Sequence, residues 1–316
     1  ACLAVIFFSL LNGLGIKEAK KAQNYLTFAE IIGVCILILV GFYVGVISNE
    51  PSSPFTSITH HDYTLGAYSL ALVFVLLTFG GWNEAAYVSA EALDQQRGIR
   101  RALILGLGLV TILYVLVNIA LLYALGVEKM GKSLTLASDV FEIAFGKNAS
   151  VYFSLLVIFS CFNSINATII FGSRSTYALG QDWKIFRWMS DWHPCGAPRK
   201  AIICQTGITL LLIIGAAFSR QNFESLVEYT APVFWFFISL VGIALIVLRR
   251  KFPEQERLCP VPLYPWLPLL FIFTSLWLLW SSIVYSGFGA MVGLIVLGLG
   301  GILIHFEKRG KINSQK

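Results

Sequence analysis

The stretch Thr78-Phe79-Gly80-Gly81-Trp82-Asn83-Glu84 lies inside an apolar run from about Leu65 to Val88, long enough to cross a bilayer. Two adjacent glycines in a helix interior cost roughly 1 kcal/mol each relative to Ala. Trp, Asn and Glu follow at once, and a lipid-facing helix gains nothing from them. A helix that breaks at mid-membrane does gain. Its freed carbonyls and amides can bind a polar or charged small molecule, and irregular backbone at that depth is tolerated where it lines a cavity. The competing reading is close helix–helix packing on a small-residue patch; the Asn83-Glu84 pair favours a binding site. Glu84 is a functional candidate in its own right, because an ionisable side chain in a span is expensive unless it is paired, protonated or used. Glu30, about one turn into another apolar span, is a second carboxyl that could load and release a proton. Its plainer reading is a Glu close enough to the interface to reach water.

Other polar residues inside apolar runs carry less. Asn163, Ser164 and Asn166 form a patch whose simplest role is hydrogen bonding between helices rather than ion coordination, and Asn118 reads the same way. Trp235 sits in the aromatic run Phe234 to Phe237, where packing competes with a pocket role. Six scattered cysteines without a C-x-x-C read as small buried hydrophobes, and His60-His61 is a weak hint of a metal at most, so neither metal nor cofactor is expected. There is no nucleotide-binding glycine loop, no His-Glu-x-x-His and no cluster of catalytic polar groups. These absences from the sequence argue against an ATP-driven pump and against a membrane-embedded enzyme.

The elements that would position these residues are membrane helices. The chain is 57% hydrophobic and 13% charged, with a mean hydropathy of +0.76, against about 25% charged in soluble domains. A polytopic all-α membrane protein follows. Spans are expected at about 25–47, 65–90, 102–125, 150–173, 201–219, 228–248, 265–286 and 288–306, before a basic tail at 307–316. The apolar run before Asn12 is too short to span; it reads as the tail of a longer helix, and the chain as an N-terminally truncated piece of a larger protein. Gly13-Leu14-Gly15 should end that helix, with Lys17, Lys20 and Lys21 in a short basic connector. A short helix is expected near Ser138–Phe145, capped by Ser138 or Asp139, and residues 174–200, with Trp183, Trp188 and Trp192, suit an amphipathic interfacial helix. Nineteen of the 23 Lys and Arg fall in the connector and in 97–101, 174–200, 249–257 and 308–316, which this register puts on one side. The positive-inside rule makes that side, and the C-terminus, cytoplasmic. The +6 net charge belongs to these loops in contact with membrane lipids and is no sign of nucleic-acid binding.

Phe79-Gly80-Gly81-Trp82-Asn83-Glu84-Ala85-Ala86-Tyr87-Val88-Ser89-Ala90-Glu91, with Arg100-Arg101-Ala102-Leu103 after it, resembles the sixth helix and following loop of the amino acid–polyamine–organocation (APC) superfamily, and in particular bacterial permeases related to the L-type amino acid transporters. Ser164-Ile165-Asn166-Ala167-Thr168 and Gly172-Ser173-Arg174 are similar to its eighth helix, Glu228 through Trp235 to its tenth, and Val261-Pro262-Leu263-Tyr264-Pro265 to the start of its eleventh. The resemblance implies the leucine-transporter fold, lacking here about the first three and a half helices. It implies a secondary transporter in the cytoplasmic membrane, carrying an amino acid with a proton or against a counter-transported amino acid. Carried over position by position, the carbonyls near Leu77 and Gly80 would take the substrate ammonium. Thr78, Phe79, Gly81, Trp82 and Asn83 would line the pocket, with Trp235 on its far wall. Leu77 stands where the family often has a gating aromatic, a departure that hints at a different gate or a roomier pocket. Glu30 stands where many sodium-independent members carry a Lys, so the charge is inverted and the usual coupling is in doubt; Glu30 and Glu84 are the coupling candidates. Polyamine transport, sodium symport and a non-transporting subunit or receptor are the alternatives. No residue pattern specifies a partner subunit.

Overall fold

The computed structural model describes residues 1–47, 65–91, 97–146, 148–218, 223–255 and 261–286, with 291, 293, 295 and 297–302 beyond them. Helix is the only extended regular structure among the described residues. In chain order the helices are α1 (Cys2–Leu14), α2 (Ile16–Ile47), α3 (Leu65–Thr78), α4 (Arg97–Lys132), α5 (Leu136–Phe145), α6 (Ala149–Asp182), α7 (Arg199–Phe218), α8 (Phe223–Lys251) and α9 (Trp266–Ser286), with 3₁₀ turns at Glu84–Glu91 and Lys184–Met189. Five of them (α2, α4, α6, α8 and α9) are long and apolar enough to cross a membrane. Polar backbone cannot be left open to lipid, so long helices are the form such a composition must take. Large apolar side chains cover the outer faces: Leu39, Leu105, Leu211 and Trp280 are all exposed. The loop 48–64, with His60 and His61, the tail 307–316 and much of 288–306 lie outside the described residues.

The chain divides into two compact units, one made of Ala1–His61 with Gly81–Gly215, the other of Asp62–Gly80 with Ala216–Lys316. In the first, α2 packs against α1, α4, α5 and α6. One of its cores joins Leu37, Val40 and Val44 to Leu121, Leu125, Val140 and Phe141. Gly41 and Gly45 let α4 come close: a Cβ on Gly41 would lie 2.9 Å from the Ala120 Cβ and 3.2 Å from its backbone carbonyl, and one on Gly45 would run into the Tyr123 ring. In the second unit, α8 and α9 pack along their length and α3 joins α9 around Val73, Ala231, Trp235, Ile238 and Leu278.

Several local expectations are corrected. The Lys17–Lys21 segment is not a connector but the opening turns of α2, and the chain reverses at Gly15 alone, at φ +145°. A Cβ there would lie 2.7 Å from the Cys195 carbonyl oxygen, so glycine is set by close approach as well as by conformation. α6 does not stop at 173: hydrogen-bonded helix continues through Asp182, because hydropathy marks the membrane boundary and not the end of the hydrogen-bond ladder. The interfacial segment is therefore a 3₁₀ turn and an irregular strap folded back on α6. There Trp192 meets Tyr177 edge-on at 5.0 Å and lies under the Arg174 guanidinium, and Gly180 has no room for a side chain. α5 begins at Leu136 with Thr135 as N-cap, and Asp139 sits in its first turn accepting from the Thr135 and Ser133 hydroxyls. Of the five described cysteines none is fully buried, and Cys35 and Cys161 are exposed. An apolar solvent removes the pressure that buries thiols in soluble proteins.

Candidate functional site

α3 ends at Thr78, in the middle of the apolar run, and the backbone turns through Phe79–Asn83 before the 3₁₀ turn at Glu84. The turn closes with Gly80 N–H donating to the Leu77 carbonyl at 2.9 Å, Glu84 N–H to Gly81 at 3.0 Å, and Ala86 N–H to Asn83 at 3.1 Å. Gly81 adopts φ +96°, which a side chain would strain, and a Cβ on Gly80 would lie 2.9 Å from the Leu77 carbonyl oxygen. The two glycines thus have separate reasons: one supplies the positive φ, and the other lies too close to the Leu77 carbonyl, which its own N–H binds, to carry a side chain. The Thr78 hydroxyl donates back to Val75 at 2.6 Å. The C-terminal end of a helix carries partial negative charge on its carbonyls, so the end of α3 is suited to a cation such as an ammonium group.

The boundary between the two units falls within this turn. On one side, Leu77 packs against the core that holds Trp235, so the structure brings these two expected residues together. Trp235 is 6% exposed and its Nε1–H has no hydrogen-bond partner among the described residues. An indole N–H left orphaned in an apolar core is unusual enough to require a reason. Phe79 is half-buried. On the other side, Trp82 is at the surface, Glu84 is half-buried, and the Asn83 Oδ1 is buried with no partner among the described residues.

A second polar site lies among α1, α2 and α6. The Glu30 carboxylate accepts from the Ser160 hydroxyl on one oxygen and from the Asn163 amide on the other. Asn163 Oδ1 accepts from Gln23 at 2.7 Å and from the Thr27 hydroxyl at 3.2 Å. Asn166, fully buried, donates to Gln23 Oε1 at 2.8 Å and to the Ala19 carbonyl at 3.3 Å. Asn12 donates to Asn166 Oδ1 and to the Phe8 carbonyl, both at 2.8 Å. Glu30 and Ser160 also line a cavity of about 200 Å³ whose other walls include Gly33, Leu37 and Phe153. No Lys or Arg among the described residues pairs with Glu30.

Asn163 and Asn166 thus bond across helices. Ser164 is instead exposed and lines a cavity with Ser9, Gln205 and Thr206, and Asn118 bonds to the Tyr114 carbonyl one turn back on its own helix at 2.8 Å. Asn12, Gln23, Thr27 and Ser160 escaped the sequence reading, although their spacing carries a signal. Gln23, Thr27 and Glu30 recur at helical period on α2, and Ser160, Asn163 and Asn166 do so on α6, so each set forms one stripe.

Five long apolar helices, with a shorter one, α3, that stops in the middle of its apolar run, make this an all-α polytopic membrane protein. The chain belongs to the amino acid permease family, whose sequence profile matches residues 1–303. It is 27% identical to mouse (Mus musculus) b(0,+)-type amino acid transporter 1, over 97% of this chain and 61% of that protein. It is 26% identical to the human (Homo sapiens) cystine/glutamate transporter, over 91% and 56%, and 25% identical to the serine/threonine exchanger SteT of Bacillus subtilis, over 96% and 68%. The chain spans about three fifths of the length of the first two.

Proposed function

We propose that the protein is a secondary transporter that carries amino acids across the cytoplasmic membrane by alternating access, as a permease or an exchanger, with the C-terminus in the cytoplasm. The observation that carries this reading is the end of α3 at Thr78, in mid-span, which leaves a helix C-terminus and the Leu77 carbonyl where a lipid-facing helix would have continued. The names of the relatives, two transporters of amino acids and one exchanger, support the substrate class. In this reading the α3 end takes the substrate ammonium, and the Trp235 indole beside Leu77 faces substrate. Glu30 couples transport to the proton, ahead of Glu84, because its carboxylate is held by two defined donors and adjoins a cavity.

The test is uptake of an amino acid panel by full-length protein in proteoliposomes, with and without an inward proton gradient. Uptake of a subset, driven by external acid, supports a proton-coupled permease. Uptake stimulated by internal amino acid and indifferent to the gradient identifies an exchanger and removes the coupling role from both carboxylates. No uptake of any amino acid overturns the reading.

A further inference from the structure

Resting on the reading of Glu30 as the coupling group, we propose that Gln23, Asn163 and Asn166, anchored by Asn12, are positioning residues that hold the Glu30 carboxylate and tie its charge to the packing of α1 and α2 on α6. Each primary amide has a donor end and an acceptor end and could face either way. Here all face one way: Asn12 donates to Asn166, Asn166 to Gln23, Gln23 to Asn163 and Asn163 to Glu30. Both ends of this line set the direction. The Asn12 amide nitrogen is held by the Phe8 carbonyl, and an ionised carboxylate can only accept. A carboxylate oxygen that accepts fits an Asn163 that donates, and this fixes the facing of each amide in turn back to Asn12. Such lines of hydrogen bonds polarise one another when buried.

The line itself carries no charge. Tyr114 on α4 has an electrostatic interaction with Glu30, and Cys161 on α6 shares its cavity. α1 carries no titratable side chain except Cys2, at its far end. α5 shares a core with Leu37, Val40 and Val44, further along α2, where Asp139 is bonded to Ser133 and Thr135 and Glu142 is exposed.

The experiment uses full-length protein in proteoliposomes with L-serine or L-leucine, whichever is carried. It reads the ratio of gradient-driven accumulation to exchange without a gradient. Gln23→Met, which touches neither Glu30 nor substrate, should lower the ratio on the order of tenfold, the equivalent of one hydrogen bond. Thr27→Val, nearly isosteric, should lower it less. Adding Gln23→Met to Glu30→Gln should change nothing further, since the line then has no carboxylate to hold. If Glu30→Gln collapses the ratio while Gln23→Met and Thr27→Val keep the wild-type value, or if the double variant is additive, positioning is refuted and the coupling role of Glu30 stands. If Glu30→Gln keeps the wild-type ratio, both fall. Should Gln23→Met fail to fold, Asn12→Ala, which removes the donor at the head of the line and does not touch Glu30, is read by the same outcomes.

Discussion

Gly81 and Trp235 make separate claims at the scale of single residues. Gly81 sits at φ +96°, so Gly81→Ala forces a side chain into a strained conformation at a cost of roughly 1–3 kcal/mol. The strain lies in the turn that follows the α3 carbonyl end. We expect Gly81→Ala to insert and fold but to lose most uptake; wild-type kinetics would mean that the turn is only structural. Trp235 buries an N–H with no partner among the described residues, an expense the apolar core does not recover. Trp235→Phe should therefore leave the melting temperature of the substrate-free protein unchanged or slightly higher. The same change should raise KM roughly tenfold if substrate accepts that hydrogen, one bond being worth about 1.4 kcal/mol. An unaltered KM would return Trp235 to core packing. These two roles differ in legibility. Gly80-Gly81 followed by Asn83-Glu84 announces an interruption in any apolar run, whereas an aromatic among aromatics announces nothing, and Trp235 stood out only through resemblance.

Among the elements, α2 is one of the organisers of its unit, because α1, α4, α5 and α6 all pack against it. Its two faces work differently. Toward α4 the contact depends on small residues, with Gly41 against the Ala120 backbone. Gly41→Val must push α4 away and should cost about 1–3 kcal/mol, read as a lower melting temperature in detergent; no change would mean that α2 and α4 slide freely. Toward α6 the contact is polar, through Gln23, Thr27 and Glu30. Hydropathy found both helices but ended α6 nine residues early and left the first turns of α2 as a connector. Polar residues outside the bilayer extend a helix as readily as apolar ones inside it, so a membrane boundary is a poor guide to a helix boundary.

For the whole molecule, the prediction concerns orientation. With nineteen of 23 basic residues on one side of the expected register, the C-terminus should be cytoplasmic. In a cysteine-free background, a cysteine placed at Gln315 should react with an impermeant maleimide in inside-out vesicles and not in intact cells; the opposite pattern would invert the topology. Composition and hydropathy were enough to establish an all-α polytopic protein, since only closed backbone hydrogen bonding survives in lipid. The break at Gly80-Gly81 was equally legible, being written in a local run of adjacent residues. The environment of Glu30 was not. In sequence it was a lone carboxyl near the start of a span, as consistent with water as with a site. Its partners lie 130 and 133 positions away on α6, and the amide line that reaches it begins at Asn12 on α1. Neutral polar side chains in apolar helices look alike until packing chooses their surroundings: Asn166 became fully buried, Asn118 bonded to its own helix, and Ser164 stayed exposed at the wall of a cavity. That choice depends on which helices meet and at what rotation, a property of their assembly and not of any one segment.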